Sequence, residues 1–369
     1  MVLLLLLLVL CLLFFGNRYD SSGRGSCEYL SRNHTCFVNG FFIVYVFVRH
    51  FSEYGAQMSS LDAAFLENEG GVMGQLLVST FLLFSGYGIQ MSYQRKGGGY
   101  AGELVRKRFL VLLRNFAGAV LIYVAVKSAL GVDFSWRAVA LSMVGWFSVG
   151  NSNWFIFMTL VEYLLIAFCY LAFSRYGRFV PVIATAVMTY GWTCVLCFYK
   201  PFYWYNTIMC VPAGMLLAEL RGSVCRWQLR MGWRIFLVVI PLMLVGREIH
   251  MPAYWWCEGL IHPYIGTCLG TAVANIGAVM FACGLALFAG WLSVAGYEPA
   301  KLGRILVWCG GPALFYLYIY QRVPMLVGKH YGLPESHGYA YFITCLVVTV
   351  LIAWLALYIN GKLQGLRKR

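Results

Sequence analysis

The sequence predicts an all-α polytopic membrane protein with about ten core transmembrane helices. Of its 369 residues, 61% are hydrophobic and 11% are charged; soluble domains carry about 25% charged residues. Apolar runs at 75–93, 154–173, 266–292 and 339–359 reach the roughly 20 helical residues that cross a hydrocarbon core. They lack the apolar/polar alternation of barrel strands, which excludes a transmembrane barrel. The basic residues, finally, collect on alternate connections.

Taken in order, the chain begins with "MVLLLLLLVLCLLFFGNR". This stretch has neither the basic start nor the small-residue cleavage site of a secretory signal. Arg18, Arg24 and Arg32 follow it, which suggests an eleventh span with its N-terminus outside. Residues 1–37 are thus a hydrophobic segment and a basic cytoplasmic loop, 38–360 the membrane domain, and 361–369 a basic tail. Core spans are expected at 38–52, 73–93, 109–127, 154–174, 179–197, 205–220, 235–247, 266–293, 305–323 and 338–360. The segment 138–149 is too short to cross and is interrupted by Ser142, Gly145 and Ser148. It reads as an interfacial or re-entrant piece on the outer side.

Connections 17–37, 94–108, 175–178, 221–234, 296–304 and 361–369 hold 20 of the 28 Lys and Arg. Cytoplasmic loops are enriched in just these residues, so the split orients the chain with its C-terminus inside. The net charge of +14 therefore reflects topology and does not imply nucleic acid. The thirteen Cys sit mostly in apolar spans, as small hydrophobes rather than a disulfide framework. Cys194 and Cys197 form a CxxC, without redox or metal partners around it. Cys27 and Cys36 are expected as thiols in a cytoplasmic loop, where the Asn33-His34-Thr35 sequon goes unused. His34, His250, His262, His330 and His337 form no metal-ligand spacing, and no metal is expected.

Three ionisable residues need a reason, because a charge at mid-span costs about 2.5–3.5 kcal/mol on insertion scales. Glu162 lies near the middle of its span, as a structural partner for a cation or as a proton acceptor. Arg114 lies six residues beyond Arg108, about 9 Å into a span. It either snorkels to the interface or points inward beside Asn115, toward Glu162 or an anionic ligand. His50 ends the apolar run "VNGFFIVYVFVRHF", with Glu53 and Tyr54 on the same helix face.

Six stretches resemble membrane-bound acyltransferase family 3, the bacterial integral-membrane O-acyltransferases. "NGFFIVYVFVRHF" is similar to the family's first core helix, in which a basic residue precedes a His by eleven positions. "FLLFSGYGI" (81–89), "RKRFLVLLRNF" (106–116) and "NWFIFMTLVEYLL" (153–165) resemble three further elements. "WYNTIMCVPAGML" (204–216) and "LFYLYIYQRVPM" (314–325) extend the match. The chain departs from the pattern at Asn39, where relatives carry a cation, and at Gln321, where many carry His. Arg49 or Arg114 is then the cation at hand.

The resemblance implies a multi-pass protein of the bacterial inner membrane. It implies transfer of an acyl group, with acetyl the expected one, from cytoplasmic acyl-coenzyme A to a hydroxyl of an envelope polysaccharide or its lipid-linked precursor. No tightly bound cofactor is implied. Its partners are then acyl-coenzyme A, a carbohydrate and the bilayer. Arg95, Arg106, Lys107, Arg108 and Arg221 would meet the donor's phosphates. His50 would be the base, with Glu162 and Arg114 in the catalytic set. Ser85, Tyr87 and Asn115 would steady the developing oxyanion, and Asn39 would position the donor. Tyr203, Trp204, Trp255 and Trp256 would stack on sugar rings or anchor spans. The competing class is a transporter or flippase for a glycan or lipid-linked sugar.

Overall fold

The computed structural model describes residues 2–19, 29–54, 59–258 and 263–366. Arg24, Cys27, His262 and the last three basic residues lie outside them. The described chain is helical nearly throughout. Helix α1 (Val2–Phe15) leads into strand β1 (Asn17–Tyr19), then α2 (Arg32–Ser52) and α3 (Ser60–Lys96). A glycine turn, α4 (Tyr100–Leu104) and a wide π-helical turn (Val105–Phe109) connect to α5 (Leu110–Ala129). Next come α6 (Trp136–Met143), α7 (Trp154–Phe173), α8 (Val180–Leu196), α9 (Cys210–Met231), α10 (Phe236–His250) and α11 (Pro252–Glu258). The last part holds α12 (Pro263–Val294), β2 (Tyr297–Pro299), α13 (Gly303–Gly310), α14 (Leu314–Tyr320), α15 (Arg322–His330), α16 (Leu333–Ser336) and α17 (Gly338–Leu366).

Among the described residues six stretches are long and apolar enough to cross a membrane. Two of them, Val72–Ala129 and Cys210–Cys257, each hold two long helices. Gly97 (φ 69°) and Gly232 (φ 54°) make the breaks, adopting positive φ without the Cβ penalty of other residues. Outward faces are apolar: Leu171, Val187, Leu237 and Trp354 are all exposed. Side chains of that kind on every side suit hydrocarbon rather than water. On α1 the stripe Leu6, Val9 and Leu13 is buried, while Leu4, Leu7 and Leu8 face out.

The interior is built for close helix approach. Ala274, Ala278, Ala282 and Ala286 form a fully buried small-residue line down α12, and on a different face Gly277 meets Gly246 of α10 at backbone distance. Such lines replace the hydrophobic driving force that lipid cannot supply. A polar knot ties α3, α7, α9 and the turn before α8 together. Glu219 accepts from Gln90 Nε2 (2.6 Å) and Gln94 Nε2 (2.5 Å) and faces Arg178 at 3.6 Å. The Tyr170 hydroxyl donates to Gln90 Oε1 (2.5 Å).

Several expected boundaries move. The loop expected at 17–37 is partly ordered: β1 pairs antiparallel with β2 (Asn17 opposite Pro299), and α2 begins at Arg32. The basic stretch 221–234 is mostly the last turns of α9, and the outer loop expected at 51–72 shortens because α3 starts at Ser60. The span expected at 305–323 is a broken helix, divided after Gly310 and again at Gln321. Periodic hydropathy runs straight across those breaks, so the sequence alone hides them. The short segment near 138–149 carries only the eight-residue α6, too short for a crossing.

Helix α13 lies against α2 at backbone distance. A Cβ on Gly310 would stand 2.0 Å from the Cys36 carbonyl oxygen, and one on Gly40 would stand 2.1 Å from that of Leu306. Gly310→Ala should therefore lower the detergent melting temperature, at a cost of roughly 1–3 kcal/mol or more from forced overpacking. Gly88→Ala meets nothing within 4 Å and should be neutral or stabilising. Equal melting of the two variants would refute the close contact.

Candidate functional site

Asn39 and His50 lie eleven residues apart on α2, three turns plus about 20°, so they share a face about 16 Å apart. Each opens into its own cavity. Asn39, Ser85, Phe81, Leu112 and Phe315 line an apolar slot of about 290 Å³. His50 lines a polar cavity of about 770 Å³ with Glu53, Asn151, Ser152, Asn206 and Arg322. Tyr318 lines both. Its ring centre is 6.2 Å from that of His50 and 5.3 Å from that of Phe155, a slot residue. The slot and the cavity thus meet at one aromatic side chain.

The chain breaks in α13–α15 bring the partners of His50 into place. Gln321 Nε2 donates to the Tyr318 carbonyl (2.8 Å), and its side chain lies beside the imidazole. Arg322 donates from Nη2 to Glu53 Oε2 (2.6 Å) and from Nε to Ser152 Oγ (3.0 Å). Arg49 stands 3.6 Å from Glu53 Oε1 and donates to Ser52 Oγ (3.0 Å). Glu53 is therefore shared by two guanidiniums, and among the described residues no carboxylate bonds the ring of His50. His50 Nδ1 is buried and makes no hydrogen bond.

Two further polar groups face the same cavity. Asn151 uses its carbonyl oxygen to accept from the Val149 amide (3.1 Å), which leaves its buried Nδ2 donor uncommitted. Asn206 Nδ2 lies 3.3 Å from His250 Nε2, and His250 Nδ1 lies 2.9 Å from the Ala274 carbonyl. His250, which lies beyond the span expected at 235–247, is the last residue of α10 and fully buried, and it sets the angle of Asn206. At the rim, Tyr203 and Trp255 line the cavity. Trp204 does not: it is buried, with the Lys200 ammonium 4.3 Å from its ring centre and 3.8 Å from that of Trp146. Burial lowers the pKa of that ammonium below its ordinary value. Trp256 is exposed and lines neither cavity.

Other expected residues fall elsewhere. Glu162 is buried between α7 and α8, where the Thr189 hydroxyl donates to its two carboxyl oxygens at 2.9 and 3.1 Å. Arg114 is exposed on α5, 3.4 Å from Asn115 Oδ1. The two do not pair, because their helices turn them to different sides. Neither they nor Asn115 line the slot or the His50 cavity. The Tyr87 hydroxyl is committed to the Tyr29 carbonyl (2.8 Å), whereas Ser85, two residues earlier, lines the slot.

None of the expected donor-docking cations lines the slot or the polar cavity. Lys107 lies 3.2 Å from Glu103, which Lys96 also contacts at 2.5 Å. Arg95 donates to the Met91 carbonyl (3.3 Å), and Arg221 to Gln94 and the Ala218 carbonyl (3.2 Å for the latter). Arg106 and Arg108 are likewise away from the slot and the polar cavity.

Sequence reading passed over Arg322, Asn151, Ser152 and Asn206. "VGNSNW" (149–154) carried a usable signal, three adjacent polar residues placed just before a span. Arg322 was masked by its place beside an apparent helix end. The fold is that of a multi-pass helical membrane protein. No protein-family model matches the chain, and comparison with curated proteins and with solved structures finds no similar one. Among the described residues no group of three or more His, Cys, Asp or Glu could hold a metal ion.

The Thr189 contact replaces the expected ion pair and yields its own test. Thr189→Val removes the donor from a buried carboxyl group and should cost about 1–3 kcal/mol of stability. Adding Glu162→Leu should recover part of that loss, since removing both partners costs less than removing one. Strictly additive losses in the double-mutant cycle would show that the hydroxyl does not support the carboxyl group.

Proposed function

We propose that this protein is an integral-membrane O-acyltransferase that carries an acyl group from cytoplasmic acyl-coenzyme A to a hydroxyl of an envelope polysaccharide or its lipid-linked precursor. Acetyl is the expected group. One observation carries this reading: a single face of α2 serves an apolar slot at Asn39 and a polar cavity at His50, and the two meet at Tyr318. A two-substrate transfer across a membrane needs that division, an apolar approach for the donor arm and a wet cavity for a sugar. The proposed topology has ten core spans besides α1, with the Asn33 end of α2 and the C-terminus cytoplasmic. The expected basic loops support that orientation.

In the proposed reaction His50 takes the proton of the acceptor hydroxyl as its oxygen attacks the thioester carbonyl carbon. The new C–O bond forms, the C–S bond breaks, and the thiolate leaves with the proton that His50 held. Arg322 and the uncommitted Asn151 Nδ2 are placed to donate to the carbonyl oxygen as it gains charge. Glu53, held by Arg322 and Arg49, fixes the cations rather than the base. Tyr203 and Trp255 offer stacking faces at the cavity mouth. The wide cavity with its aromatic rim also suits a glycan transporter, the second reading.

His50→Ala should abolish ester-linked acylation of envelope glycan, read by mass analysis, while melting stays near that of the parent. Arg322→Gln should cut transfer roughly 10²-fold or more. A glycan that carries no ester-linked acyl group, with or without the gene, would favour the transporter. Orientation has a separate test. A Cys placed at Ser59 should react with an impermeant thiol reagent in intact cells, and one at Lys362 only after lysis. The reverse pattern would overturn the topology.

A further inference from the structure

A third cavity lies next to the slot and has no part in the reaction described above. It holds about 700 Å³ and is lined by Arg18 of β1, Asn33 of α2, Arg304 and Trp308 of α13, and Glu298 of β2. Both arginines are exposed. Among the described residues neither guanidinium has an acidic partner within ion-pair distance. Glu298 sits across the strand pair from Arg18, and its carboxylate lies 3.9 Å from His34 Nε2 instead. Two uncommitted guanidiniums in one cleft match the fork geometry of phosphate oxygens. The indole of Trp308 adds a face on which a planar base can stack, a contact that is tolerant of base identity.

The cleft, the slot and the His50 cavity follow one seam. On α2, Asn33 lines the cleft, Thr35 and Asn39 the slot, and His50 the polar cavity. On the facing chain, Trp308 and Pro312 line the cleft, Leu314 and Phe315 the slot, and Tyr318 both slot and cavity. From Asn33 to His50 the helix advances about 25 Å. That is a site with an anionic end, an apolar middle and a reactive end. The loop cations at 106–108 line no part of this seam.

We infer that the Arg18–Arg304 cleft binds the phosphates of the nucleotide end of acyl-coenzyme A, so that its arm threads the slot and its thioester reaches His50. This rests on the acyltransferase reading. The strand pair β1–β2 then has a role beyond closing a loop, because it holds Arg18 over the mouth of the cleft. The phosphate of an anionic lipid headgroup shares the same chemistry, and the test must separate the two.

The experiment is calorimetric titration of the full-length protein in nanodiscs, with and without phosphatidylglycerol. The probes are coenzyme A and its form lacking the 3′-phosphate. Arg18→Gln with Arg304→Gln should weaken coenzyme A about ten-fold or more, and raised salt should narrow the difference. Arg106→Gln with Arg108→Gln should change it less than about three-fold. The form lacking the 3′-phosphate should bind the parent more weakly and lose less on the cleft substitutions. Trp308→Ala leaves every charge in place and should weaken both probes, which gives a second reading of the same cleft.

Unchanged coenzyme A binding in both cleft variants, with His50→Ala still abolishing transfer, would overturn the cleft and leave the acyltransferase standing. Coenzyme A binding that is unaltered by the cleft substitutions, together with loss of phosphatidylglycerol retention, would assign the cleft to lipid and overturn the inference. No binding of coenzyme A by folded parent protein would overturn both readings together.

Discussion

The backbone contact between α2 and α13 is the constraint on which the site depends. Gly40 and Gly310 leave no room for a side chain, so the two helices approach until carbonyl oxygens occupy the space of a Cβ. Because α13 is held that closely, the chain beyond it must break and restart as α14 and α15. That restart delivers Tyr318 and Arg322 to the His50 end of α2. A helix held even a side chain's width farther away would carry Arg322 out of reach of Glu53. The Glu53–Arg322 pair, 269 residues apart in sequence, is a consequence of this packing more than its cause.

Polar groups inside an apolar solvent sort into two kinds. Some are spent on structure: Glu162 on Thr189, Glu219 on two glutamines and Arg178, Tyr87 on a carbonyl. Each joins two segments, and each is satisfied where it lies, as burial demands. Others stay uncommitted, among them His50 Nδ1, Asn151 Nδ2 and the oxygens of Asn39 and Gln321. These lie in or beside the slot and the polar cavity, along with Arg322 and Ser152. Burial without a partner costs stability, so a cluster of such atoms on one seam is where ligand contacts belong.

The expected catalytic trio separates on the same logic. His50 lies on a helix end that faces a cavity, and there its polarity is usable. A mid-span acid such as Glu162 needs a reason, a cation partner or a functional role, and Thr189, one helix away, supplies a hydroxyl donor instead. Counting from Arg108 along the axis leaves Arg114 either snorkelling to the interface or pointing inward. Depth along a helix says nothing about rotation around it, and Arg114 is turned outward.

Composition and charge bias settle much before any coordinates: a helical membrane protein, the rough position of its apolar runs, and the shared face of Asn39 and His50. These are local properties, set by the helix repeat and by the cost of charge in hydrocarbon. The tertiary structure alone decided which polar groups meet. Arg322 reaches Glu53 and Ser152, and Arg18 and Arg304 share a cleft, through breaks and a strand pair that hydropathy averages away. The physical reason is that a contact between distant segments depends on rotation and close approach. Hydrophobic periodicity specifies neither of them when every face of a helix is apolar.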